Sequence, residues 1–324
     1  MPHSSTRIVL DVAARTHVGA KRTENEDRVL VADLDAGSAH VGAFSGRLQV
    51  GSGGALLAVC DGMGGEAGGE VASTTAVQSL FREAATALPG RSSQGVARGL
   101  LEAVRSASRD IESLAQVRVE LSRMGTTATV CALAEQQLIV AQVGDSRAYL
   151  LRGERLVQLT RDQTLATLLL ERGQLTLEQF DSFEFGHVIL QALGHVGGVD
   201  VDLGELGLAD GDTLLICSDG LYGCVDDARV AKTLRAHEPS EACDELIELA
   251  LEAGAPDNVS CLVARASGAL PSSEAAPQLA KVVLAPEPLP EESRLEAPAT
   301  VPPTERAPTA AAGPLARLRA FFQG

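Results

Sequence analysis

The chain has 324 residues, which is enough for one large domain or two of ordinary size. Hydrophobic residues make up 45% of it but aromatic residues only 3%, with no tryptophan, so the core must consist mostly of Leu, Val and Ala. A formal net charge of −16 argues against nucleic-acid binding, which uses basic patches, and indicates an acidic surface or carboxylates that hold cations.

The cysteines and the hydropathy pattern predict a cellular setting. Six cysteines are scattered along the chain without any Cys-x-x-Cys pair, which argues against zinc and disulfide frameworks. No span of about 20 apolar residues is present, and the first residues do not resemble an export signal. We therefore expect a cytoplasmic protein without stable membrane insertion.

Short strands and a few helices are predicted in groups along the chain. Strands are predicted at 8–18, 28–32, 56–60, 127–133, 138–143, 148–151, 213–217 and 259–264, and helices near 71–81, at 94–116 and at 242–253. The glycine-rich stretch 33–54 is predicted to be a loop or a long hairpin, and 127–151 to be consecutive antiparallel hairpins. Because strands and helices are grouped rather than alternating, the fold class is α+β with antiparallel sheets.

The composition changes near Gly268. Ten of the 14 prolines lie in residues 268–324, mixed with Ala and Glu. Such a segment buries too little apolar surface to offset its ordering entropy. The predicted organisation is a folded domain at 7–267 and a disordered tail at 268–324, which ends in a short basic amphipathic stretch at 315–322.

Three acidic turns follow one pattern, in which an apolar strand ends in Asp followed by Gly or Asn, and a fourth Asp stands between two predicted strands. The three turns are Asp61-Gly62, Asp219-Gly220 and Asp257-Asn258, and the fourth is Asp145-Ser146. Each alone is a common turn dipeptide. Carboxylates at several strand ends can nevertheless converge, and a neighbouring glycine lets a backbone carbonyl approach an ion. The set therefore indicates a site for hard cations such as Mg²⁺ or Mn²⁺.

The stretch before the second predicted strand adds charged residues of both signs. Arg22 is followed by Glu26 and Asp27. The acids suit the orientation of metal-bound waters, and an arginine suits the capture of a phosphate. A solvated run of charges is the simpler interpretation of the same residues.

Together these residues resemble the PPM, or PP2C-like, family of protein phosphatases, in particular its bacterial branch. The motifs occur in order between residues 14 and 265. They are Arg22-Thr23-Glu24-Asn25-Glu26-Asp27, Asp61-Gly62-Met63-Gly64-Gly65, Met124-Gly125-Thr126-Thr127, Val143-Gly144-Asp145-Ser146-Arg147-Ala148-Tyr149, Leu159-Thr160-Arg161-Asp162, Gln191-Ala192-Leu193-Gly194, Ser218-Asp219-Gly220-Leu221 and Asp257-Asn258-Val259-Ser260.

The resemblance implies a four-layer α-β-β-α sandwich of two antiparallel sheets flanked by helices. It implies a role for each motif residue in holding two Mn²⁺ or Mg²⁺ ions and a third, weaker ion. Asp61 and the carbonyl of Gly62 would bind metal, and Asp219 and Asp257 would complete a metal's coordination shell. Asp145 would hold the third metal, and Glu26 and Asp27 would lie behind the waters bound to metal. Arg22 would bind the substrate phosphate.

The implied reaction is hydrolysis of phosphoserine and phosphothreonine by a metal-bridging water. Asp61, Asp219 and Asp257 would act through that water. The implied partners are phosphorylated proteins, either Ser/Thr kinases or their substrates, and the implied state is a monomer.

Three departures from the family concern the surroundings of the metal ligands. Met63 stands where eukaryotic members have His. Gln163 stands where relatives often have His, and Gln191 where they often have Arg. The last two changes flank the segment that the resemblance makes a mobile flap, so substrate preference or third-metal coupling could differ.

Two other functions fit parts of the sequence. A pseudophosphatase or phosphoprotein-binding scaffold with the same fold would keep these residues without turnover. The run from Gly62 to Ala67 also fits Gly-x-Gly-x-x-Ala of dinucleotide-binding proteins, but a helix, not a second parallel strand, is predicted next.

Overall fold

A computed structural model describes residues 7–64, 68–180 and 182–284 of the chain. The strands in chain order are β1 Ile8–His17, β2 Arg28–Asp33, β3 Ser38–Val41, β4 Phe44–Val50, β5 Ala55–Cys60, β6 Gly62–Met63, β7 Gly125–Thr126, β8 Ala128–Ala134, β9 Gln137–Val143, β10 Arg147–Arg152, β11 Arg155–Gln158, β12 Asp202–Gly207, β13 Thr213–Cys217, β14 Val259–Gly268 and β15 Ala280–Lys281.

The helices lie in three groups along the chain, between β6 and β7, between β11 and β12, and between β13 and β14. They are α1 Gly68–Ala87, α2 Ser93–Val117, α3 Leu165–Glu171, α4 Leu177–Phe180, α5 Asp219–Tyr222, α6 Asp227–Ala236 and α7 Pro239–Glu252, with a short 3-10 helix at Val119–Leu121. None of the helices in the described residues is long and apolar enough to cross a lipid bilayer.

Two antiparallel sheets form the centre of the fold. The six-stranded sheet has the order β11-β10-β13-β14-β1-β4, and the seven-stranded sheet has the order β15-β12-β9-β8-β5-β2-β3. The short strands β6 and β7 pair separately. The sheet pairings confirm the predicted α+β class with antiparallel sheets.

Three apolar cores separate four layers. Leu10 and Val12 of one sheet pack against Val29 and Leu57 of the other. Helices α1 and α2 cover the outer face of the seven-stranded sheet through side chains such as Leu80. Helices α5, α6 and α7 cover the six-stranded sheet. This order of layers agrees with the expected α-β-β-α sandwich.

Two predictions about strand connections are wrong. The stretch 33–54 is neither a loop nor a hairpin, because β3 pairs with β2 and β4 pairs with β1 in the opposite sheet. The prediction of consecutive hairpins holds for β8 and β9 only, since β10 pairs with β13 in the other sheet. Alternating hydrophobicity reports a buried face, but it does not report which sheet receives the strand.

The folded part extends beyond the predicted boundary at residue 267. Strand β15 pairs with the edge strand β12, and Val282 is buried in the core beneath α1 and α2. This short strand was not predicted from the sequence because the stretch is rich in proline, alanine and glutamate. The chain divides after Leu284, and the rest of the predicted tail, including 315–322, lies outside the described residues.

Candidate metal centre

The acidic turns lie at one end of the sandwich. Asp61 follows β5 and Asp219 follows β13, while Asp27 precedes β2 and Asp257 precedes β14. Asp145 lies in the connection from β9 to β10, where the chain passes from one sheet to the other. Because neighbouring strands are antiparallel, the end of one and the start of the next meet at the same edge.

The backbone of Asp61 is fixed by the strand beside it. Its N–H donates to Thr127 Oγ1 at 2.9 Å, and its carbonyl accepts from the Thr127 N–H and the Thr126 hydroxyl, each at 2.8 Å. The side chain is left free of these bonds, so it can act as a ligand.

Gly62 lies where α1 approaches the turn most closely. A Cβ at Gly62 would collide with the Gly69 carbonyl and would lie 2.6 Å from the Glu26 carbonyl oxygen. The residue must therefore be glycine. This close packing places the Gly62 backbone beside Glu26.

Glu26 and Asp27 are buried beside this turn. Glu26 Oε1 accepts from the Gly69 N–H at 3.2 Å, and burial raises its pKa. Asp27 Oδ2 accepts from the Ser218 hydroxyl at 2.8 Å. These contacts join the segment before β2 to α1 and to the turn after β13.

Asn258 holds three neighbouring segments together. Its Oδ1 accepts from the Glu26 N–H at 2.8 Å, and its Nδ2 donates to the Val18 and Glu24 carbonyls, each at 2.9 Å. The neighbouring Asp257 accepts the Asn258 N–H at 2.8 Å. This amide fixes the loop that carries Arg22 relative to Asp257.

The carboxylates are close enough to perturb one another. Burial, then the nearby charge of Asp27, then those of Asp219 and Asp145, raise the pKa of Asp61 well above its usual range. Burial and the nearby charge of Asp219 raise the pKa of Asp27 to about 6 and that of Asp145 to about 7. Like charges at this density are costly unless cations neutralise them.

The donors fit hard divalent cations. Three buried carboxylate oxygens in the described part of the chain have no hydrogen-bond partner: Asp27 Oδ1, Asp145 Oδ1 and Asp219 Oδ1. A buried acceptor normally has a partner. In the same residues no three His, Cys, Asp or Glu side chains form a group that could by themselves hold a metal ion. A Mg²⁺ ion keeps several waters as ligands and can be bound through one or two carboxylates.

Arg22 lies at the rim of this cluster. Its guanidinium donates to Asp257 Oδ2 at 2.7 Å and lies 3.8 Å from Glu26 Oε2. About half of the side chain, 48%, is exposed, so a ligand in solution can reach it.

Several residues that organise the site were not assigned a role from the sequence. Asn258, Ser218, Thr127 and Gln163 act through hydrogen bonds to segments distant in sequence. All four belong to or adjoin the motifs, so motif membership was the available signal. Their partners depend on tertiary contacts.

The comparisons with known proteins agree with this geometry. The family "Protein phosphatase 2C" matches residues 37–172. Serine/threonine protein phosphatase PstP of Mycobacterium tuberculosis is 36% identical over 259 residues, which cover 79% of this chain and 45% of PstP. Serine/threonine phosphatase stp of Listeria innocua is 34% identical over 212 residues, which cover 64% of this chain and 83% of stp. The chain thus spans less than half of PstP but most of stp.

Two solved structures of PstP share the fold. A crystal structure of the Mycobacterium tuberculosis phosphatase has a TM-score of 0.67 and 36% identity, covering 79% of this chain and 98% of the other. A structure of the PstP catalytic domain with two manganese ions has a TM-score of 0.66 and 35% identity, covering 80% of this chain and 99% of the other. On its sequence, its fold and the carboxylates gathered at one end of its sandwich, the chain belongs to the bacterial branch of the protein phosphatase 2C family of metal-dependent protein serine/threonine phosphatases.

Proposed function

We propose that the protein hydrolyses phosphoserine and phosphothreonine on bacterial signalling proteins, either Ser/Thr kinases or their substrates. The observation that carries the proposal is the group of buried, mutually repelling carboxylates with three unpartnered oxygens beside a reachable arginine. The relatives whose names state a Ser/Thr phosphatase support the same substrate class.

The proposed assignment of residues follows the motifs. Asp61, Gly62, Asp219 and Asp257 would hold two Mn²⁺ or Mg²⁺ ions, Asp145 would hold a third, and Glu26 and Asp27 would orient waters. When bound, such ions supply an activated water and neutralise charge on the phosphoryl oxygens.

The chain itself supplies substrate orientation. The Arg22 guanidinium has five N–H donors in a planar fork, which match two phosphoryl oxygens at once. Asp257 accepts a hydrogen bond from one of these N–H groups, which fixes the plane of the guanidinium. Met63 follows Gly62 in the turn and carries no titratable group, so this turn provides no proton for the leaving oxygen.

The proposed setting is the bacterial cytoplasm, and the proposed state is a monomer. All six cysteines are free, and five of them are buried. Free thiols are typical of a reducing compartment.

The test is phosphate release from a phosphothreonine peptide by the purified protein with EDTA, Mn²⁺ or Mg²⁺. We expect release with either metal and none with EDTA. The matched substrate control is the same peptide with phosphotyrosine in place of phosphothreonine. Asp257→Asn is the inactive enzyme control.

The alternative is a pseudophosphatase that binds phosphoproteins without turnover. Absence of phosphate release under every metal, with Mn²⁺ binding and phosphopeptide binding intact, would favour that function. Equal or faster hydrolysis of the phosphotyrosine peptide would contradict the proposed substrate class.

A further inference from the structure

Gln163 is a buried polar residue without an assigned role. Its side chain is 6% exposed and lies between two strand ends. Oε1 accepts from the Gly144 N–H at 2.8 Å, and the Gln163 N–H donates to the Gly144 carbonyl at 2.9 Å. Nε2 donates to Asp202 Oδ2 at 3.1 Å. Gln163 therefore binds both backbone groups of one residue and joins them to β12.

Gly144, to which Gln163 is hydrogen-bonded, comes immediately before Asp145 in the chain. Gly144 has φ +96°, which favours glycine, and a Cβ there would lie 2.6 Å from Thr127 Cγ2. Thr127 is also the residue that fixes the Asp61 backbone. The turn that carries Asp145 is thus packed on one side and hydrogen-bonded by Gln163 on another.

The residue before Gln163 holds the far side of the same turn. Asp162 accepts from Arg147 at 2.7 Å and 3.0 Å, and the Arg147 guanidinium stacks 3.7 Å from the centre of the Tyr222 ring. The Tyr222 hydroxyl donates to the Asp145 carbonyl at 3.1 Å. Residues 144 to 147 are therefore fixed at both ends by Asp162 and Gln163.

The same two residues begin the segment that contains α3 and α4. The Leu190 N–H donates to the Gln163 carbonyl at 2.8 Å, and the Leu165 N–H donates to the Val188 carbonyl at 2.9 Å. The outgoing and returning ends of the segment are thus paired at Gln163. A displacement of either end acts directly on the residue that binds Gly144.

From these contacts we propose that Gln163 is a positioning residue, which orients Asp145 for a divalent cation and couples it to the segment 164–190. The proposal rests on the proposed function, since it takes Asp145 as the ligand of the third ion. An amide suits this position because it accepts from the Gly144 N–H and donates to Asp202 at the same time. Leu can do neither, and Glu would place a second carboxylate beside Asp202.

The experiment counts Mn²⁺ ions and measures their affinities by isothermal titration calorimetry of the full chain after EDTA treatment and dialysis. We expect Gln163→Leu to weaken the weakest binding event about tenfold or more and to leave the tighter events within about twofold. Gln163→His, which can both accept and donate, should restore most of that affinity. Gln163→Glu should weaken the same event, and it provides a second test if the Leu variant does not fold.

Two comparisons show whether Gln163 acts through Asp145. In an Asp145→Asn background, which should lack the weakest event, adding Gln163→Leu should have no further effect on Mn²⁺ binding. Gln136→Leu is the matched control. Gln136 is an exposed residue in the turn between β8 and β9, at the other end of β9 from Gly144, and its Nε2 donates to the Ala269 carbonyl at 3.1 Å. This control should bind Mn²⁺ as the wild type does.

The outcomes separate the two proposals. Loss of the weakest event in Asp145→Asn but not in folded Gln163→Leu would overturn the role of Gln163 and leave the metal assignment intact. Unchanged Mn²⁺ binding in Asp145→Asn would remove the ligand assignment, and the role of Gln163 would fall with it. Equal weakening by Gln136→Leu would show a general effect of losing an amide hydrogen bond and would also overturn the proposal.

Discussion

At the scale of single residues, the site contains more negative charge than its own hydrogen bonds can neutralise. Asp219 has an unpartnered buried oxygen, and burial and the nearby charge of Asp257 raise its pKa. Asp61 is likewise perturbed by its neighbours. Such a cluster lowers the stability of the metal-free fold while preparing it to bind cations.

Asp219→Asn should therefore separate activity from stability. We expect phosphatase activity with Mn²⁺ to fall at least about 100-fold, because a proposed metal ligand is lost. The free energy of unfolding of the EDTA-treated variant should rise by about 1 kcal/mol, because a repelling charge leaves the buried cluster. Urea unfolding measures the second effect, and a variant less stable than the wild type would identify Asp219 as a structural residue.

Arg22→Lys tests the proposed phosphate contact. A lysine keeps the charge but loses the planar fork, so kcat/KM for a phosphothreonine peptide should fall about 10-fold or more, mainly through a higher KM. Mn²⁺ affinity should change little. The control is Arg47→Lys. Arg47 lies away from the site, where its Nε forms an exposed ion pair with Asp11 Oδ1 at a distance of 2.7 Å. An unchanged KM in Arg22→Lys would remove Arg22 from substrate binding.

At the scale of elements, the approach of α1 to the turn after β5 determines where the Gly62 backbone lies. Gly69 also has no room for a Cβ, since that atom would lie 2.7 Å from the backbone carbonyl carbon of Gly62 and would collide with Glu26 Oε1. Two glycines on facing segments thus allow helix, turn and the loop before β2 to meet. Side chains on either glycine would push the segments apart.

Gly62→Ala should break this arrangement. The added Cβ collides with the backbone of Gly69, which cannot move without shifting α1, so we expect a loss of about 2 kcal/mol of stability or more and loss of activity. Gly207→Ala is the control, because its Cβ would meet only Gln137 Nε2, at 3.7 Å. Thermal melting and the phosphopeptide assay check both variants. A Gly62→Ala protein as stable as Gly207→Ala would show that α1 can retreat.

At the scale of the whole molecule, the site is made by both sheets together. Asp61 belongs to the end of one sheet and Asp219 and Asp257 to the ends of strands in the other. The repulsion among these groups therefore acts across the interface between the sheets. Cation binding should stabilise the sandwich as a unit.

The metal-free protein should lose stability as the pH rises from about 5.5 to 7.5. The pKa is about 6 for Asp27 and about 7 for Asp145 in the folded chain, above the value of about 3.9 for an unfolded Asp. The folded state therefore holds more protons than the unfolded state in this range, and raising the pH removes that stabilisation.

Mn²⁺ should reverse the trend, because it replaces those protons and binds more tightly at higher pH. Melting temperatures measured with EDTA and with saturating Mn²⁺ across this range check both statements. A metal-free protein that is most stable at pH 7.5 would contradict the pKa assignments.

The sequence by itself determined the class of the fold, its principal strands and helices, and the set of candidate ligands. It could do so because strand and helix periodicity is local and because the motifs occur in a fixed order. Asp61 and Asp219 follow strands and Asp145 stands between two strands, as the pattern indicated. The prediction that a strand ends at Asp257 is wrong, because α7 comes before this residue and β14 begins after it. The roles of these four residues as ligands stay predictions.

Only the tertiary structure decided which sheet receives each strand and how the site is held. The pairing of β4 with β1, the crossing of the chain at Gly144 and the strand β15 all depend on contacts between residues distant in sequence. So do the bonds of Asn258 and Gln163. A buried amide forms hydrogen bonds with the backbone groups that lie next to it in the packed fold. The local sequence does not indicate which groups these are.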